Sequence, residues 1–172
     1  LAQTGGGRGK GIVFLWAAGN ENCPIQHSGS LDIPYDNGYN QFGSWVGVET
    51  SRIFEHNLTA VPGVMHVAAL ASNAQRSHYS NYGDGISICA PSSNSHEYWR
   101  MAVTGLGMLT TTGRSPFFDS ELGGTSSATP LVAGITAFVI SANPNLTALE
   151  IVSLLQRTAS KDLNMTAYPR TP

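Results

Sequence analysis

Residues 123–134 read GGTSSATPLVAG, two glycines and a Thr-Ser-Ser sequence that run into small and apolar residues. This pattern predicts a buried helix with Ser126 in its first turn. The glycines let the chain approach a bound molecule closely, and a helix N-terminus offers unpaired N–H groups and partial positive charge. A serine placed there can act as a nucleophile whose oxyanion is stabilised. Alternatively, these residues simply cap a core helix, as Ser and Thr often do.

A second stretch, residues 11–18, is a continuous apolar run that ends in Gly19 and Asn20. Such a run predicts a fully buried strand of a parallel sheet. Polar side chains at the carboxyl end of such a strand lie where open α/β sheets bind ligands. Asn20 is therefore a candidate binding residue, although Gly-Asn also begins ordinary turns.

The two stretches, in this order, resemble the nucleophile and Ala-Gly-Asn motifs of the subtilisin-like serine peptidases. The resemblance covers most of residues 5–160 apart from an insertion, and is nearest to the kexin-like and bacterial proprotein-convertase-like branches. It implies an α/β fold with a parallel sheet and a buried nucleophile helix. The site residues it implies are the nucleophile Ser126, the oxyanion-hole donor Asn20 and the substrate-binding residues Gly19, Gly124 and Thr125.

The rest of the family's catalytic triad has no counterpart in this chain. Family members carry the aspartate in an Asp-Ser/Thr-Gly motif and the histidine in a His-Gly-Thr motif, both before the asparagine strand. The five histidines of this chain all lie between Asn20 and Ser126, and none precedes a glycine. Residues 1–4 also look like the last turn of a helix, ended by glycines. We therefore expect residues 1–160 to be the C-terminal portion of a peptidase domain, with 161–172 as the domain end or a linker.

The expected partner is an N-terminal portion, as a separate chain or cleaved fragment, that supplies Asp and His. Without it, a serine keeps only roughly 10³–10⁴ of rate advantage over water. With it, the resemblance implies a serine endopeptidase that cleaves peptide or protein substrates through an acyl-enzyme. The alternatives are an inactive, peptide-binding pseudoprotease and an acyl-transferring or macrocyclising relative.

Acidic residues after the asparagine select basic side chains in kexin-like members. Glu21, Asp32 and Asp36 are the candidates in this chain, although Asp36 also fits a plain surface turn. Family members commonly bind structural calcium, and the candidate loop ligands are Asp32, Asp36, Glu49 and Asp84. No organic cofactor is expected.

Composition agrees with a secreted α/β enzyme. The chain has 172 residues, 12% charged residues, 19 glycines and a net charge of −2, so one domain without a nucleic-acid surface is expected. No membrane span is expected either, since no apolar stretch approaches roughly 20 residues. Two cysteines are too few for a disulfide framework. Cys89 is predicted to be a buried thiol, and Cys23 is either a thiol or bonded to the N-terminal portion. The sequons at Asn57, Asn145 and Asn164 are candidate glycosylation sites.

The remaining elements follow from local patterns. Residues 64–70 and 86–89 are predicted strands, and residues 127–142 a helix that is apolar on nearly every side and therefore central. A second helix follows to about residue 158. Thr147 and Glu150 form its capping box, and Leu146 is placed to pack against Ile151. Residues 20–63 and 91–122 are predicted to be irregular, the first as a surface insertion.

Overall fold

The computed structural model describes residues 1–27, 31–34, 48–51, 54–55, 58–94 and 106–162. Within these ranges the chain forms strands and two helices in the following order. They are β1 (Phe14–Ala17), β2 (Gln26–His27), β3 (Leu31–Pro34), β4 (Val48–Ser51), β5 (Phe54–Glu55), β6 (Val64–Leu70), β7 (Ile86–Pro91), β8 (Met108–Thr111), β9 (Phe118–Leu122), α1 (Thr125–Ala142) and α2 (Ala148–Thr158).

The central feature is a parallel sheet in the order β1-β6-β7, which confirms the predicted α/β fold. β6 lies in the middle and is buried over most of its length, as its apolar sequence predicts. β1 is shorter than the predicted strand of residues 11–18, and Gly11 is excluded by its φ of 87°, which a strand does not accommodate. β1 is also not fully buried. In the described part of the chain it is an edge strand, and Trp16 is 50% exposed.

The core lies between one face of this sheet and both helices. Met65, Val67 and Ala69 project from the same face of β6, since side chains alternate along a strand. Against them pack Val132 of α1 and Ile151 of α2. Leu146 packs against the same cluster, as predicted. The sheet therefore fixes the position of α1, and with it the position of Ser126.

The prediction for α1 was only partly right. The helix begins at Thr125, two residues before the predicted start, and only one of its faces is buried. Leu131, Ile135 and Phe138 are 37%, 51% and 77% exposed and recur every three or four residues. No described residue covers this stripe, so the predicted burial on nearly every side is wrong for the chain as described. By length and composition α1 could also cross a membrane, but it packs on the sheet.

The capping box of α2 is confirmed. Thr147 Oγ1 accepts a hydrogen bond from the Glu150 N–H, and Glu150 Oε2 accepts one from the Thr147 N–H at 2.8 Å. The backbone N–H of Thr147 is the main cause that lowers the pKa of Glu150, and the Thr147 side chain adds to it. Ala148 N–H also donates to Lys10 O at 2.8 Å, which ties the start of α2 to the segment before β1.

Two regions predicted to be irregular contain short antiparallel pairs. β2 pairs with β5 and β3 with β4 in the first region, and β8 pairs with β9 in the second. These strands have two to five residues, too few for a repeating pattern to be recognised in the sequence, and all residues of β9 are exposed. Asp36, Asn57 and Asn164 lie outside the described residues.

The two cysteines lie in different surroundings. Cys89 is an exposed thiol on β7, so its predicted burial is wrong. The protein around the sulfur nevertheless raises the pKa of Cys89 by desolvation, and the Arg76 guanidinium opposes this to a smaller extent. Cys23 Sγ lies 3.5 Å from Asn81 Oδ1, in the segment that follows Asn20.

Candidate active site

The carboxyl end of β1 leads directly to Asn20. Gly19 has a φ of 103°, and a Cβ at this position would lie 2.4 Å from both Asn81 Nδ2 and Glu21 Oε2. Only glycine therefore fits this turn without strain. The turn places Asn20 on the surface at the edge of the sheet where the strands end.

Asn20 is joined to the start of α1. Its Oδ1 accepts hydrogen bonds from the Thr125 N–H at 2.8 Å and from Thr125 Oγ1 at 3.0 Å. A backbone N–H can only donate, so the amide oxygen of Asn20 must face Thr125 and Nδ2 must face away from it. Thr125 Oγ1 in turn accepts from the Gly19 N–H at 3.1 Å. The two sequence motifs, 105 residues apart, thus form one structural unit.

The N-terminus of α1 is open beside this unit. Gly124 is the N-cap residue, and no side chain caps the helix there. Its φ is 82°, and a Cβ on Gly124 would lie 3.4 Å from Asn20 Nδ2, so glycine keeps the space next to the amide clear. Ser126 is exposed, and no described residue hydrogen-bonds to its Oγ or accepts its N–H. Asn20, Gly124, Thr125 and Ser126 are therefore brought together, as predicted from their motifs.

Asn81 organises the segment after Asn20, and the sequence reasoning missed it. This buried side chain donates from Nδ2 to Ala18 O at 2.9 Å and to Glu21 Oε2 at 2.7 Å. Its Oδ1 accepts from the N–H groups of Glu21 and Cys23, each at 3.1 Å. A signal was available, because the connection after β6 begins at the same sheet edge as the residues after β1. The Glu21 carboxylate, a candidate for substrate selection, is thus already hydrogen-bonded within the protein.

A second group of residues that the sequence reasoning missed surrounds Gly124. Tyr79 Oη accepts a hydrogen bond from the Gly124 N–H at 2.9 Å. The hydroxyls of Ser92 and Ser127 each lie 2.9 Å from Gly124 O, within hydrogen-bond distance of it. Both peptide groups of Gly124 are therefore held by side chains, two of which come from distant parts of the chain.

Neither His66 nor His78 is hydrogen-bonded to Ser126, and His27 lies in β2. His66 is buried on β6, and its backbone N–H donates to Ser87 Oγ at 3.2 Å. His78 Nδ1 lies 3.1 Å from Asn94 Oδ1. His56 and His96 lie outside the described residues. In the described part of the chain, Ser126 thus lies beside the Asn20–Thr125 unit with no histidine hydrogen-bonded to it.

Three of the four candidate calcium ligands lie within the described residues. Asp32 lies in β3 and Glu49 in β4, where they pair with Thr50 and Ile33, so neither lies in the loop that was predicted for it. Asp84 is exposed in the turn before β7. The described ranges hold no group of three or more His, Cys, Asp or Glu residues that could bind a metal ion.

Comparison with known proteins identifies the family of this chain. The sequence profile of the Subtilase family matches residues 2–170. The chain belongs to the subtilase family. It is 28% identical over 166 residues to a calcium-dependent protease of Trichormus variabilis, an alignment that covers 91% of this chain and 21% of that protein. It is 39% identical over 97 residues to an extracellular protease of Xanthomonas campestris, covering 56% of this chain and 15% of that protein.

A solved structure has the same fold. The crystal structure of a cold adapted subtilisin-like serine proteinase is 24% identical in sequence with a TM-score of 0.52, and the match covers 86% of this chain and 38% of that one. This subtilase chain spans about a fifth of the length of the first of these relatives. The predicted family is confirmed, whereas the branch within the family stays a prediction.

Proposed function

We propose that this chain carries the nucleophile and the oxyanion hole of a serine endopeptidase. Ser126 Oγ attacks the carbonyl carbon of a peptide bond, and the oxyanion accepts hydrogen bonds from Asn20 Nδ2 and the Ser126 N–H. The observation that supports this assignment most strongly is the bond from the Thr125 N–H to Asn20 Oδ1, because it turns the donor Nδ2 away from Thr125. One such donor typically contributes about 2.7–4 kcal/mol to transition-state stabilisation.

The attack on the peptide needs a base. The Ser126 proton passes to a histidine of the N-terminal portion, which then gives it to the leaving amine. Water hydrolyses the acyl-enzyme, with the same histidine as the base. The open Ser126 Oγ supports this scheme, since no described residue occupies the position of the base.

The N-terminal portion also covers apolar surface in this proposal. The stripe formed by Leu131, Ile135 and Phe138 on α1 is exposed, and β1 has no second neighbour among the described strands. Apolar residues also line a groove beside β1, among them Phe14, Trp16 and Val61. Exposed apolar surface of this extent marks a contact with further protein.

Secretion and structural calcium are proposed from the relatives. The Xanthomonas protein is named an extracellular protease, and the Trichormus protein a calcium-dependent protease. The described residues contain no group of three or more His, Cys, Asp or Glu residues that could bind the ion, and no catalytic step is assigned to it. A calcium site predicts a lower thermal unfolding temperature after a chelator is added, and an unchanged temperature would contradict it.

The test of the proposed function is fluorophosphonate labelling of the complete protein, meaning this chain with its N-terminal portion. We expect one label at Ser126 by peptide mass mapping, and peptide hydrolysis that falls about a millionfold in Ser126→Ala. Ser153→Ala, which removes an exposed hydroxyl on α2, is the matched control and should retain both labelling and activity.

The other outcomes identify the alternatives. No label on Ser126 in the complete protein would indicate a peptide-binding pseudoprotease. Cyclic or transferred products, in place of hydrolysed termini, would indicate an acyl-transferring relative. Product masses separate these two reactions.

A further inference from the structure

Gly124 is an unusual N-cap residue. It adopts a φ of 82° and has no side chain that could cap the helix, yet it directly precedes Thr125 and Ser126. Its peptide groups set the direction of the first N–H groups of α1. The groups that hold Gly124 therefore also determine where the Ser126 N–H points.

Side chains hold Gly124 through a closed ring of hydrogen bonds. The Gly124 N–H donates to Tyr79 Oη at 2.9 Å, and Tyr79 Oη lies 2.8 Å from Ser92 Oγ. Ser92 Oγ lies 2.8 Å from Ser127 Oγ, which reaches Gly124 O at 2.9 Å. Each hydroxyl can accept from one neighbour and donate to the next. The ring thus begins and ends on the same residue.

Two further contacts offer the hydroxyl hydrogens alternative acceptors. Tyr79 Oη lies 2.9 Å from Ser93 O, and Ser92 Oγ lies 2.9 Å from Gly124 O. A hydroxyl has one hydrogen, so these bonds and those of the ring do not all form at once. In each arrangement, however, Tyr79 is the acceptor of the Gly124 N–H. Tyr79 is therefore the side chain to probe.

The ring is buried and attached to the sheet. Tyr79 lies in the connection between β6 and β7, Ser92 directly follows β7, and both are buried, as is Ser127. Buried hydrogen bonds in a chain polarise one another and are stronger than in water. Gly123 packs closely against Ser93, because a Cβ on Gly123 would clash with Ser93 Oγ. The rigid part of the fold thus determines the backbone before the nucleophile.

We propose that Tyr79 is a positioning residue for the oxyanion hole. Its hydroxyl holds the Gly124 N–H, and the ring through Ser92 and Ser127 holds the Gly124 carbonyl, so that the Ser126 N–H keeps its direction relative to Asn20. This inference rests on the proposed peptidase function. The inference assigns a positioning role to Tyr79, a residue that contacts neither the substrate nor the reacting atoms.

The test uses Tyr79→Phe in the complete protein. We expect kcat to fall about tenfold and KM to change less than about twofold, since the lost bond matters for the transition state. Binding of a peptide aldehyde, which forms an oxyanion on Ser126, should weaken by about the same factor. Binding of the corresponding peptide alcohol, which forms no oxyanion, should not change. A role in stability alone would not separate the two inhibitors.

Two further variants complete the experiment. Tyr82→Phe is the matched control, because it removes a hydroxyl from the same connection while keeping the ring that lies under Arg76. It should leave kcat unchanged. Ser127→Ala opens the hydrogen-bond ring at its other end and gives a second test if Tyr79→Phe fails to fold. In a closed ring the double variant should lose about as much as each single variant.

Several results would overturn the inference. An unchanged kcat in Tyr79→Phe, additive losses in the double variant, or equal weakening of aldehyde and alcohol binding would each do so. If the unaltered complete protein itself takes no fluorophosphonate label on Ser126, the proposed function fails instead. The two failures are thus distinguishable.

Discussion

The two helices in the described part of the chain begin in opposite ways. At the start of α2, Thr147 and Glu150 satisfy each other's backbone N–H groups. At the start of α1, Gly124 has no side-chain cap, the Thr125 N–H is held by Asn20, and the described residues leave the Ser126 N–H without an acceptor. A closed helix start stabilises the fold, whereas an open one can bind a developing negative charge.

The solvent-facing sides of the two helices also differ in how much apolar surface they expose. α2 buries Ile151 and Leu155 and exposes Glu150 and Arg157, so its amphipathic pattern matches its packing except at Leu149, which is 39% exposed. α1 exposes Ile135 and Phe138. The burial of α2 therefore follows from its own sequence and from the sheet. The start of α1, by contrast, is held by residues distant in sequence, and part of its apolar surface has no partner among the described residues.

We expect the largest effect on activity from substitutions of Asn20, beside the open start of α1. Asn20→Ala in the complete protein should lower kcat about 10²–10³-fold with little change in KM, because the oxyanion loses a donor. Asn20→Asp keeps an oxygen for the Thr125 N–H but replaces the donor Nδ2 by a negative charge, so its loss should be at least as large. Steady-state kinetics with a peptide substrate measures both. An Asp variant with wild-type kcat would show that Asn20 only positions Thr125.

The next effect concerns the outer face of α1. If the N-terminal portion covers Phe138, Phe138→Ala should lower the free energy of unfolding of the complete protein by about 3–5 kcal/mol. Ser153→Ala, on the exposed face of α2, should change it by less than about 0.5 kcal/mol. Denaturant unfolding compares the two variants. A change of similar small size in both would mean that Phe138 stays in water, and the proposed covering of α1 would then be wrong.

The smallest effect is at the closed helix start. Thr147→Ala should lower the free energy of unfolding by about 0.5–2 kcal/mol, since it removes an N-cap. The pKa of Glu150 is lowered in the folded state, so its contribution to stability is present above the unfolded value of 4.5 and is lost as the pH falls through the folded value. The stability difference between the protein and its Glu150→Gln variant should therefore narrow from pH 7 to about pH 3. A constant difference would contradict the capping role of the carboxylate.

Elements that depend on neighbours in sequence were predictable. β6 lies at the predicted residues, because its sequence is apolar apart from His66 and predicts a strand buried between other elements. The capping box of α2 was also predictable, since Thr147 and Glu150 are three residues apart. The residues around Ser126 and Asn20 were recognised from two short motifs, and the structure joins these motifs through Thr125.

Other features required the tertiary structure. β2 to β5, β8 and β9 are too short to show a period, and strand pairing alone defines them. The apolar sequence of α1 predicts burial, but which of its faces is covered depends on what packs there.

The sequence by itself determined the family, the α/β fold, the start of α2 and the residues that compose the candidate site. Only the tertiary structure revealed that Asn81 holds the segment after Asn20 and that Tyr79 holds Gly124, contacts that span 60 and 45 residues of sequence. The physical reason is that a hydrogen bond depends on distance and direction in space. A local pattern constrains these only for residues a few positions apart, whereas the sheet brings together residues that are remote along the chain.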